Sequence, residues 1–409
     1  MGNDLLCGLE IGSCFLRAAV AKQQKNILNV LGYESIKTAG IENGRIVDLS
    51  AFLESMHFII HKLQNNLNKQ IKKIVLGING DFIEAKFSPA AVAFSHRTNR
   101  YIRYSDIELI RRQSVLLGLN FGQKLLHEFP QEFLLDEDCR TNNPVGLLAR
   151  KIAIKSLLLT APHSLIDNLI NAVEQIGFEV EGIFFSPFVS SLVVLNQDQI
   201  KNGAVLLDIG ANVTNILFFK DQILKDFVSI HFGGECITQE ISKQLNIPLD
   251  LAEDLKKSYL VFSSQRDNEF DNNIVIKTAD SYKTIQRSQI LQATKSKIDT
   301  FLQSLKDVFE SRIYRDNIKC DVVAVGGCSY LEGFLEKIEE IIALSVGLGR
   351  LNIHSSTGET ISTDYSAAIG LILYYLKTAN NSYLKAHSRN GNLFTRTANF
   401  FYRIYHNYF

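Results

Sequence analysis

The sequence predicts an α/β protein built on a duplicated, two-domain plan. The order strand–strand–strand–helix occurs near the N-terminus and again over residues 203–245. In each copy the first strand ends in an acidic residue and a glycine, in Leu9-Glu10-Ile11-Gly12 and in Leu207-Asp208-Ile209-Gly210. At 409 residues the chain is longer than the roughly 250–300 residues at which a single hydrophobic core stops growing, so two or three domains are expected.

Composition and charge narrow the class of protein. Hydrophobic residues make up 46% and charged residues 21%, which is typical of a globular protein. The 43 Lys and Arg balance 43 Asp and Glu, which argues against the basic footprint of a nucleic-acid-binding protein. The six cysteines show no metal-ligand spacing and are expected to be reduced. Without a signal-peptide pattern or an apolar run of about 20 residues, the chain is expected on the cytoplasmic side of the membrane.

Periodicity places the elements of the first half. Short polar turns separate three strand-like runs, which predicts an antiparallel meander, and apolar residues at helical spacing follow it. The predicted strands are Leu5–Ile11, Phe15–Lys22, Ile27–Ser35, Lys73–Ile78 and Glu179–Ser186, and the predicted helices are Leu49–Leu67 and Phe188–Leu195.

The second half repeats the same order. The predicted strands are Ala204–Ile209, Val213–Lys220, Ile223–His231, Asp321–Val325 and Arg350–His354, and the predicted helices are Glu235–Leu245, Leu331–Leu344 and Tyr365–Leu376.

Each half also carries an insertion. The first insertion includes a helix that Ser105-Asp106-Ile107-Glu108 is expected to open as a capping box, and the second is largely helical with a polar loop at Ser263–Asn273. The predicted division is a first domain at 1–82 and 162–200, an inserted subdomain at 83–161, a second domain at 201–235 and 318–377, its helical insertion at 236–317, a linker at 378–392 and a terminal helix at 393–409.

The two acid–glycine turns are the main chemical signal. Glycine lets a backbone approach a phosphate closely, and turn amides donate hydrogen bonds to phosphate oxygens. The carboxylates of Glu10 and Asp208 would repel phosphate directly, so we expect them to act on Mg²⁺ and its waters. Two more glycine pairs follow in order: Gly233-Gly234 before a helix, where an anion is favoured, and Gly326-Gly327 after a strand, with room for a nucleoside.

Each piece alone is more often an ordinary turn than a site, and only their ordered recurrence favours function. His57 and His61 have helical spacing, but no third metal ligand accompanies them. The sequence contains no nucleophile elbow, Walker A loop or dinucleotide fingerprint.

Several segments together resemble the actin/Hsp70 ATPase superfamily and, within it, the FtsA family of bacterial cell-division proteins. The segments are Gly8-Leu9-Glu10-Ile11-Gly12-Ser13, Leu206-Leu207-Asp208-Ile209-Gly210, Leu126-His127-Glu128-Phe129-Pro130-Gln131-Glu132-Phe133, Asn143-Pro144-Val145-Gly146-Leu147, Phe232-Gly233-Gly234, Ala252-Glu253-Asp254-Leu255-Lys256, Val325-Gly326-Gly327 and Asp364-Tyr365-Ser366-Ala367-Ala368-Ile369-Gly370-Leu371. The resemblance implies an actin-like (ribonuclease H-like) duplicated two-domain fold with a 1C-type subdomain at 83–161 and a C-terminal amphipathic helix.

The resemblance also implies ATP and Mg²⁺ as ligands. The implied phosphate-binding residues are Gly12, Ser13, Cys14, Gly210, Ala211, Asn212, Gly233 and Gly234, the nucleoside-binding residues are Glu253, Lys256, Gly326, Gly327 and Cys328, and the metal residues, acting through water, are Glu10 and Asp208. Glu10 stands where the family usually has Asp, and the second loop ends in Asn215 where the family favours Asp. At most weak ATPase activity is therefore expected, and no catalytic residue is assigned.

Partners follow from the same resemblance. The chain would assemble into actin-like filaments and tether the tubulin-like protein FtsZ to the membrane at the division site. The tail of FtsZ would bind residues 236–317, although a commonly basic position of that site corresponds to Thr294, followed by Lys295 and Lys297. Later division proteins and neighbouring protomers would contact residues 83–161.

The C-terminus provides an independent argument for membrane binding. After Asp364 the chain has no acidic residue, and residues 393–409 are rich in aromatic side chains. On a helix, an aromatic face with basic residues opposite it is typical of an interfacial membrane helix. The residues expected to bind the membrane are Phe394, Arg396, Phe401, Arg403, Tyr405 and Tyr408.

Two other functions remain open at this stage. A type IV pilus assembly scaffold like PilM shares the actin-like plan but is not expected to carry a terminal amphipathic helix. A catalytic kinase or Hsp70-type enzyme is disfavoured because no base or substrate pocket is evident. Docking of the terminal helix on its own domain is the structural alternative to a membrane tether.

Overall fold

The computed structural model describes residues 5–24, 27–94, 99–262, 273–277, 282–312, 320–353 and 360–379. These residues form two compact units. The first takes its described residues from 1–196, 219–226 and 351–379, and the second takes them from 197–218 and 227–350.

Strands and helices alternate in blocks along the described chain. Up to residue 196 the elements are β1 (Leu6–Ile11), β2 (Phe15–Gln24), β3 (Ile27–Lys37), β4 (Ile41–Glu42), β5 (Arg45–Ile46), α1 (Leu49–Leu67), β6 (Lys73–Ile78), β7 (Glu84–Ala93), β8 (Arg100–Tyr101), α2 (Tyr104–Gly118), β9 (Gln123–Leu135), β10 (Cys139–Thr141), β11 (Leu148–Ala149), β12 (Lys151–Pro162), α3 (His163–Gln175), β13 (Glu179–Phe185) and α4 (Ser186–Val194).

The remaining elements are α5 (Gln197–Asn202), β14 (Ala204–Ile209), β15 (Thr214–Lys220), β16 (Ile223–Ile230), α6 (Gly234–Leu245), α7 (Leu249–Tyr259), β17 (Asn273–Lys277), β18 (Tyr282–Gln286), α8 (Arg287–Arg312), β19 (Asp321–Val325), α9 (Phe334–Ile342), β20 (Val346–Leu348) and α10 (Ser366–Ala379). Short 3₁₀ turns occupy Gly327–Tyr330 and Thr363–Tyr365.

A five-stranded sheet forms the core of the first unit, in the order β13-β6-β1-β2-β3. Strand β1 pairs parallel with β6 and antiparallel with β2, so the predicted meander is confirmed. Helix α1 also has its predicted bounds. Asp48 caps its start by accepting a hydrogen bond from the amide of Ala51 at 3.1 Å, and Asn68 ends it in the left-handed conformation.

Helix α10 belongs to the first unit, which corrects the prediction that residues 318–377 lie entirely in the second domain. Its packing explains the difference. A Cβ on Gly8 of β1 would lie 2.0 Å from the carbonyl oxygen of Ala368, and one on Gly370 would lie 2.1 Å from that of Val189 on α4. Glycines therefore let α10 lie directly against β1 and α4, as close packing of a core requires.

Residues 83–161, which the sequence predicts as an inserted subdomain, contain a second sheet of the first unit with the order β10-β9-β12-β7, packed against α2. The predicted capping box led by Ser105 is wrong, because α2 begins at Tyr104 and Ser105 lies inside its first turn. Asp106, and not Glu108, accepts the hydrogen bond of the Arg103 amide at 2.8 Å. The guanidinium of Arg100, 2.7 Å from the same carboxylate, favours this arrangement.

A buried polar network ties the inserted subdomain to α10. His127 on β9 accepts a hydrogen bond at Nε2 from the amide of Phe185, so its proton lies on Nδ1, which donates to the hydroxyl of Tyr374 at 2.9 Å. Complete burial lowers the pKa of His127 to about 3. Nearby, Arg111 pairs with Glu128 at 3.1 Å, with both side chains buried.

The sheet of the second unit repeats that of the first. Its order is β16-β15-β14-β19-β20, so β14, β15, β16, β19 and β20 take the places of β1, β2, β3, β6 and β13. The central neighbours β14 and β19 pair parallel, like β1 and β6. The duplication predicted from the sequence is therefore a property of the fold.

The last predicted strand of the second domain, Arg350–His354, is wrong. The edge strand is β20 at Val346–Leu348, and Leu351 already belongs to the first unit, where the amide of Asn352 donates to the carbonyl of Val193 at 3.0 Å. The alternation of polar and apolar residues over 350–354 imitates a strand, but main-chain bonds to α4 take its place. His354 itself lies outside the described residues.

The second insertion contains the helices α6, α7 and α8 together with a hairpin, β17–β18, that was not predicted. Phe232 and Phe301 stack in its core with ring centroids 4.1 Å apart. Most of the predicted polar loop, residues 263–272, lies outside the described part of the chain.

Helix α10 ends at Ala379, so it includes the first two residues of the predicted linker. The rest of the linker and the whole predicted terminal helix, with Phe394, Arg396, Phe401, Arg403, Tyr405 and Tyr408, lie outside the described residues. Within the described residues, the helices are all too short or too polar to cross a bilayer.

Candidate functional site

The two acid–glycine turns have the same backbone geometry. The amide of Gly12 donates to the carbonyl of Phe15 at 3.1 Å, and the amide of Gly210 donates to that of Val213 at 3.1 Å. A Cβ would lie 2.6 Å from the accepting oxygen at Gly12 and 3.1 Å from it at Gly210. The recurring glycine therefore suits a tight turn that both units share, with a Cβ excluded at Gly12 and crowded at Gly210.

The first turn is held by Thr38 and flanked by charge. Thr38 donates to the carbonyl of Gly12 through its hydroxyl at 2.8 Å and to that of Cys14 through its amide at 2.9 Å. Glu10, at the base of the turn, faces the guanidinium of Arg17 at 3.7 Å.

Arg17 is a residue that the sequence analysis missed. Its guanidinium also lies 3.9 Å from the carboxylate of Asp364, and both ion pairs are longer than hydrogen bonds. The β1–β2 register, which pairs Glu10 with Arg17, places this cation beside the turn. The sequence carries a signal for this pairing. In a hairpin with a turn as short as this one, residues seven positions apart, such as Glu10 and Arg17, lie opposite each other.

In the second unit the glycine segments come together. The amide of Gly234 donates to the carbonyl of Gly210 at 3.0 Å, and that of Glu235 donates to Ala211 at 2.8 Å. A Cβ on Gly233 would lie only 2.3 Å from the carbonyl oxygen of Ala211. The start of α6 is therefore bonded directly to the β14–β15 turn.

The third segment, at the end of β19, joins the same place. Gly326 has φ of +88°, and a Cβ there would lie 2.4 Å from the carbonyl oxygen of Ile209 and 2.9 Å from Oδ1 of Asp208. The thiol of Cys328 lies 3.7 Å from the carbonyl of Gly210. A Cβ on Gly327, by contrast, would meet nothing within 4 Å. We call residues 208–212, 233–234 and 326–328 the glycine cluster.

The start of α6 differs from the predicted anion site in one respect. The amides of Gly234 and Glu235 are used in bonds to the turn, and that of Cys236 donates to Gly233 at 3.1 Å. Among the described residues, the amides of Ser13, Ala211 and Gly233 have no hydrogen-bond acceptor. The donors that remain for an anion are therefore at the two turns and at Gly233, and not in the first turn of the helix.

Glu253 and Lys256 lie beside the glycine cluster, on α7. The ammonium of Lys256 is 3.0 Å from the carbonyl of Gly234 and 2.6 Å from the carboxylate of Glu253. Burial raises the pKa of Glu253, but hydrogen bonds from Lys256, Thr238 and Lys257 outweigh this and hold it at about 2.

Other predicted residues are placed less favourably for binding. Thr294, the position compared with a basic residue of the FtsZ-tail site, is fully buried in α8, whereas Lys295 and Lys297 are exposed. His57 and His61 lie together on α1 with ring centroids 4.1 Å apart. The described residues contain no group of three or more His, Cys, Asp or Glu that could hold a metal ion.

Comparisons with known proteins find similarity to the cell division protein FtsA. A family model for cell division protein FtsA matches residues 205–370. The chain is 25% identical to cell division protein FtsA of Streptococcus pneumoniae serotype 2, over 83% of this chain and 74% of that protein. It is 26% identical to that of Buchnera aphidicola subsp. Baizongia pistaciae, over 93% of this chain and 94% of that protein.

Solved structures with low sequence identity share the fold. A PilM–PilN type IV pilus biogenesis complex matches with a TM-score of 0.65 at 15% identity, over 91% of this chain and 98% of that chain. MreB 5 of Spiroplasma citri, in a structure bound to AMPPNP, matches with a TM-score of 0.55 at 12% identity, over 96% of this chain and 100% of that chain. Together with the repeated sheet and turns, these similarities lead to one conclusion: the chain resembles the cell division protein FtsA over most of its length and has an actin-like fold.

Proposed function

We propose that this chain binds ATP at its two acid–glycine turns and acts as a membrane-tethered, filament-forming cell-division protein. The observation that carries the nucleotide proposal is the shared turn geometry, which leaves the amides of Ser13 and Ala211 at the two turns without an acceptor among the described residues. Amides at such turns suit the oxygens of a phosphate chain. The AMPPNP bound to the related fold of MreB 5 supports the same ligand class.

The side chains near the turns are of the kinds that would hold a magnesium triphosphate. Mg²⁺ takes oxygen ligands and keeps several waters, so one or two carboxylates and phosphate oxygens are sufficient. Asp208 supplies a carboxylate next to Gly326. Glu10 faces the cation Arg17 at the first turn, and both carboxylates would hold the ion through water. Arg17 would contribute its charge to a phosphate oxygen.

Hydrolysis is proposed to be weak at most. Asn215, where the family favours a carboxylate, is completely buried on β15. Its neighbour Thr214 donates its hydroxyl to the carbonyl of Phe232 at 2.9 Å and is also buried. Neither side chain is placed as an acid or base at the surface of the turn.

The inserted subdomain offers a surface for protomers or later division proteins. On the outer side of α2 and just after it, apolar side chains are between 47% and 107% exposed; they are Leu109, Leu116, Leu117 and Phe121. Contiguous exposed apolar residues typically mark interaction sites. We assign this stripe to the partner contacts of residues 83–161, and assign the FtsZ tail to residues 236–317, where Lys295 and Lys297 provide exposed positive charge.

Nucleotide binding is tested by thermal unfolding with and without millimolar Mg²⁺ and ATP. A ligand at 100 times its Kd stabilises the native state by about 2.7 kcal/mol. We expect a shift of that order for the unmodified chain and none for Asp208→Ala. An unmodified chain whose unfolding is unaffected by ATP would contradict the proposal.

Membrane tethering is tested by deleting residues 393–409. Interfacial basic residues contribute about 1 kcal/mol each on an anionic surface, so we expect the full chain to co-sediment with vesicles containing anionic lipid and the truncated chain to stay in solution. Unchanged co-sedimentation would contradict the membrane tether and favour the PilM-like alternative. The similarity to the PilM–PilN complex supports only a shared fold.

A further inference from the structure

Glu181 interrupts the regular pairing of β13 with β6. In this parallel pair Val180 lies opposite Ile74 and Gly182 lies opposite Val75, so Glu181 is the extra residue of a β-bulge. A bulge turns a side chain away from the face that it would otherwise occupy. The side chain of Glu181 is only 5% exposed, and a buried carboxylate is stable only when other groups compensate its charge.

The two oxygens of this carboxylate contact two different elements. One lies 2.9 Å from the ammonium of Lys73, the first residue of β6. The other accepts a hydrogen bond from the hydroxyl of Tyr375, near the end of α10. A carboxylate beside the C-terminus of a helix is unfavourable by itself, and Lys73 balances its charge. Glu181 therefore joins the end of α10 to the strands β13 and β6.

The contact occurs where the apolar packing of α10 ends. Every residue from Ser366 to Ile372 is buried, and so is Tyr374, whereas Leu376 is half-buried and Lys377 is exposed. The last carbonyls of a helix have no intrahelical partner, and helix ends with little buried surface open most easily. The hydrogen bond from Tyr375 to Glu181 therefore holds the helix where burial no longer does.

The start of α10 also has a polar contact. Asp364, two residues before the helix, lies 3.9 Å from the guanidinium of Arg17, which is beside the first acid–glycine turn. A helix of 14 residues is about 21 Å long. Helix α10 therefore runs from the first turn to Glu181, with a polar contact at each end.

From this geometry we infer that Glu181 is a positioning residue: it anchors the end of α10 to the first sheet and so fixes the point at which residues 380–409 continue the chain. The consequence for function rests on the proposed membrane tether, because residues 393–409 are the segment assigned to the membrane. A tail that is bound to a membrane pulls first on the end of α10. With the anchor in place, β13 and β6 carry that pull together with the helix.

Amide hydrogen exchange of the free protein tests the anchor without any membrane. Tyr375→Phe keeps the ring and removes the hydroxyl that makes the anchoring bond. Tyr365→Phe is the matched control, because it removes a hydroxyl from a half-buried ring just before the helix. Losing a hydrogen bond to a charged group should speed exchange of the Leu376 and Lys377 amides about tenfold or more in Tyr375→Phe only, and the Leu371 amide should not change.

Three results overturn the inference: unchanged exchange at the end of α10, equal acceleration in both variants, or equal acceleration at Leu371. A second pair of variants removes the carboxylate instead of the hydroxyl. Glu181→Gln should speed exchange of the same two amides, whereas Glu179→Gln, an exposed position on the same strand, should not. Equal exchange in these two variants also contradicts the anchor.

Exchange on vesicles containing anionic lipid tests the anchor under the proposed tether. In the unmodified chain we expect binding to change exchange of Leu376 and Lys377 by less than about twofold, because the anchored turn stays closed. In vesicle-bound Tyr375→Phe the same amides should exchange about tenfold faster than in the bound unmodified chain. If binding opens these amides in the unmodified chain, the anchor is refuted. If the unmodified chain does not bind vesicles, the proposed tether fails while the experiment on the free protein still decides the anchor.

Discussion

Replacing Gly233 by alanine tests the close backbone contact between the start of α6 and the β14–β15 turn. Its φ of −170° is open to any residue, so the effect of a methyl group is purely steric. The added Cβ would lie 2.3 Å from the carbonyl oxygen of Ala211 and 2.6 Å from that of Gly210, and both are backbone atoms. Contacts under 3.0 Å are essentially never observed, so the two segments must separate by at least about 0.7 Å.

That separation stretches two hydrogen bonds, from Gly234 to Gly210 and from Glu235 to Ala211. Each contributes about 0.5–1.5 kcal/mol, so a loss of about 1–3 kcal/mol is expected, similar to other overpacked sites. We expect Gly233→Ala to unfold at lower urea concentration and to lose most of its stabilisation by ATP.

The matched control is Gly347→Ala on β20, where a Cβ would have its nearest neighbour at 4.0 Å. Urea unfolding followed by circular dichroism, with and without Mg²⁺ and ATP, compares the two variants. If Gly233→Ala is as stable as Gly347→Ala and responds equally to ATP, the contact between α6 and the β14–β15 turn does not position the turn, which contradicts this prediction.

Two further changes give separate expectations. Gly327→Ala adds a methyl group where nothing lies within 4 Å, so we expect unchanged urea stability but weaker ATP binding by calorimetry; unchanged binding would remove Gly327 from the nucleoside site. Because burial lowers the pKa of His127 to about 3, its neutral form stabilises the fold above the unfolded pKa of about 6.5, and this contribution is lost as pH falls from 6.5 toward 3. Between pH 7 and 5 the loss should be about 2 kcal/mol in urea unfolding, and it should be absent from His127→Gln but kept in Tyr374→Phe; an equal decline in all three proteins would contradict the assignment.

The periodicity of the sequence predicted most of the regular elements. Helix α1 has its predicted bounds because apolar spacing and capping residues mark both of its ends. Strands β6 and β19 have theirs because each is a short apolar run. The β17–β18 hairpin was missed because five-residue strands beside a long helix give little periodic signal. The sequence order also could not show that α10 returns to the first unit, since that depends on Gly8 and Gly370 meeting carbonyls far away in the chain.

The sequence predicts which segments form the candidate site but not which hydrogen bonds join them. Acid–glycine turns are visible in the sequence because a side chain would crowd the backbone there. The use of the Gly234 and Glu235 amides within the protein, and the contact of Lys256 with Gly234, depend on distances of about 3 Å that no spacing rule gives. Arg17 is an intermediate case, because the register of the β1–β2 pair alone is enough to place it opposite Glu10.

A crystal structure of the chain grown with Mg²⁺ and AMPPNP tests nucleotide binding at the two turns. We expect one nucleotide per chain, with its phosphates bonded to the amides of Ser13 and Ala211 and the metal's waters bonded to Asp208. A nucleotide bound elsewhere, or one whose phosphates contact neither turn, would contradict it.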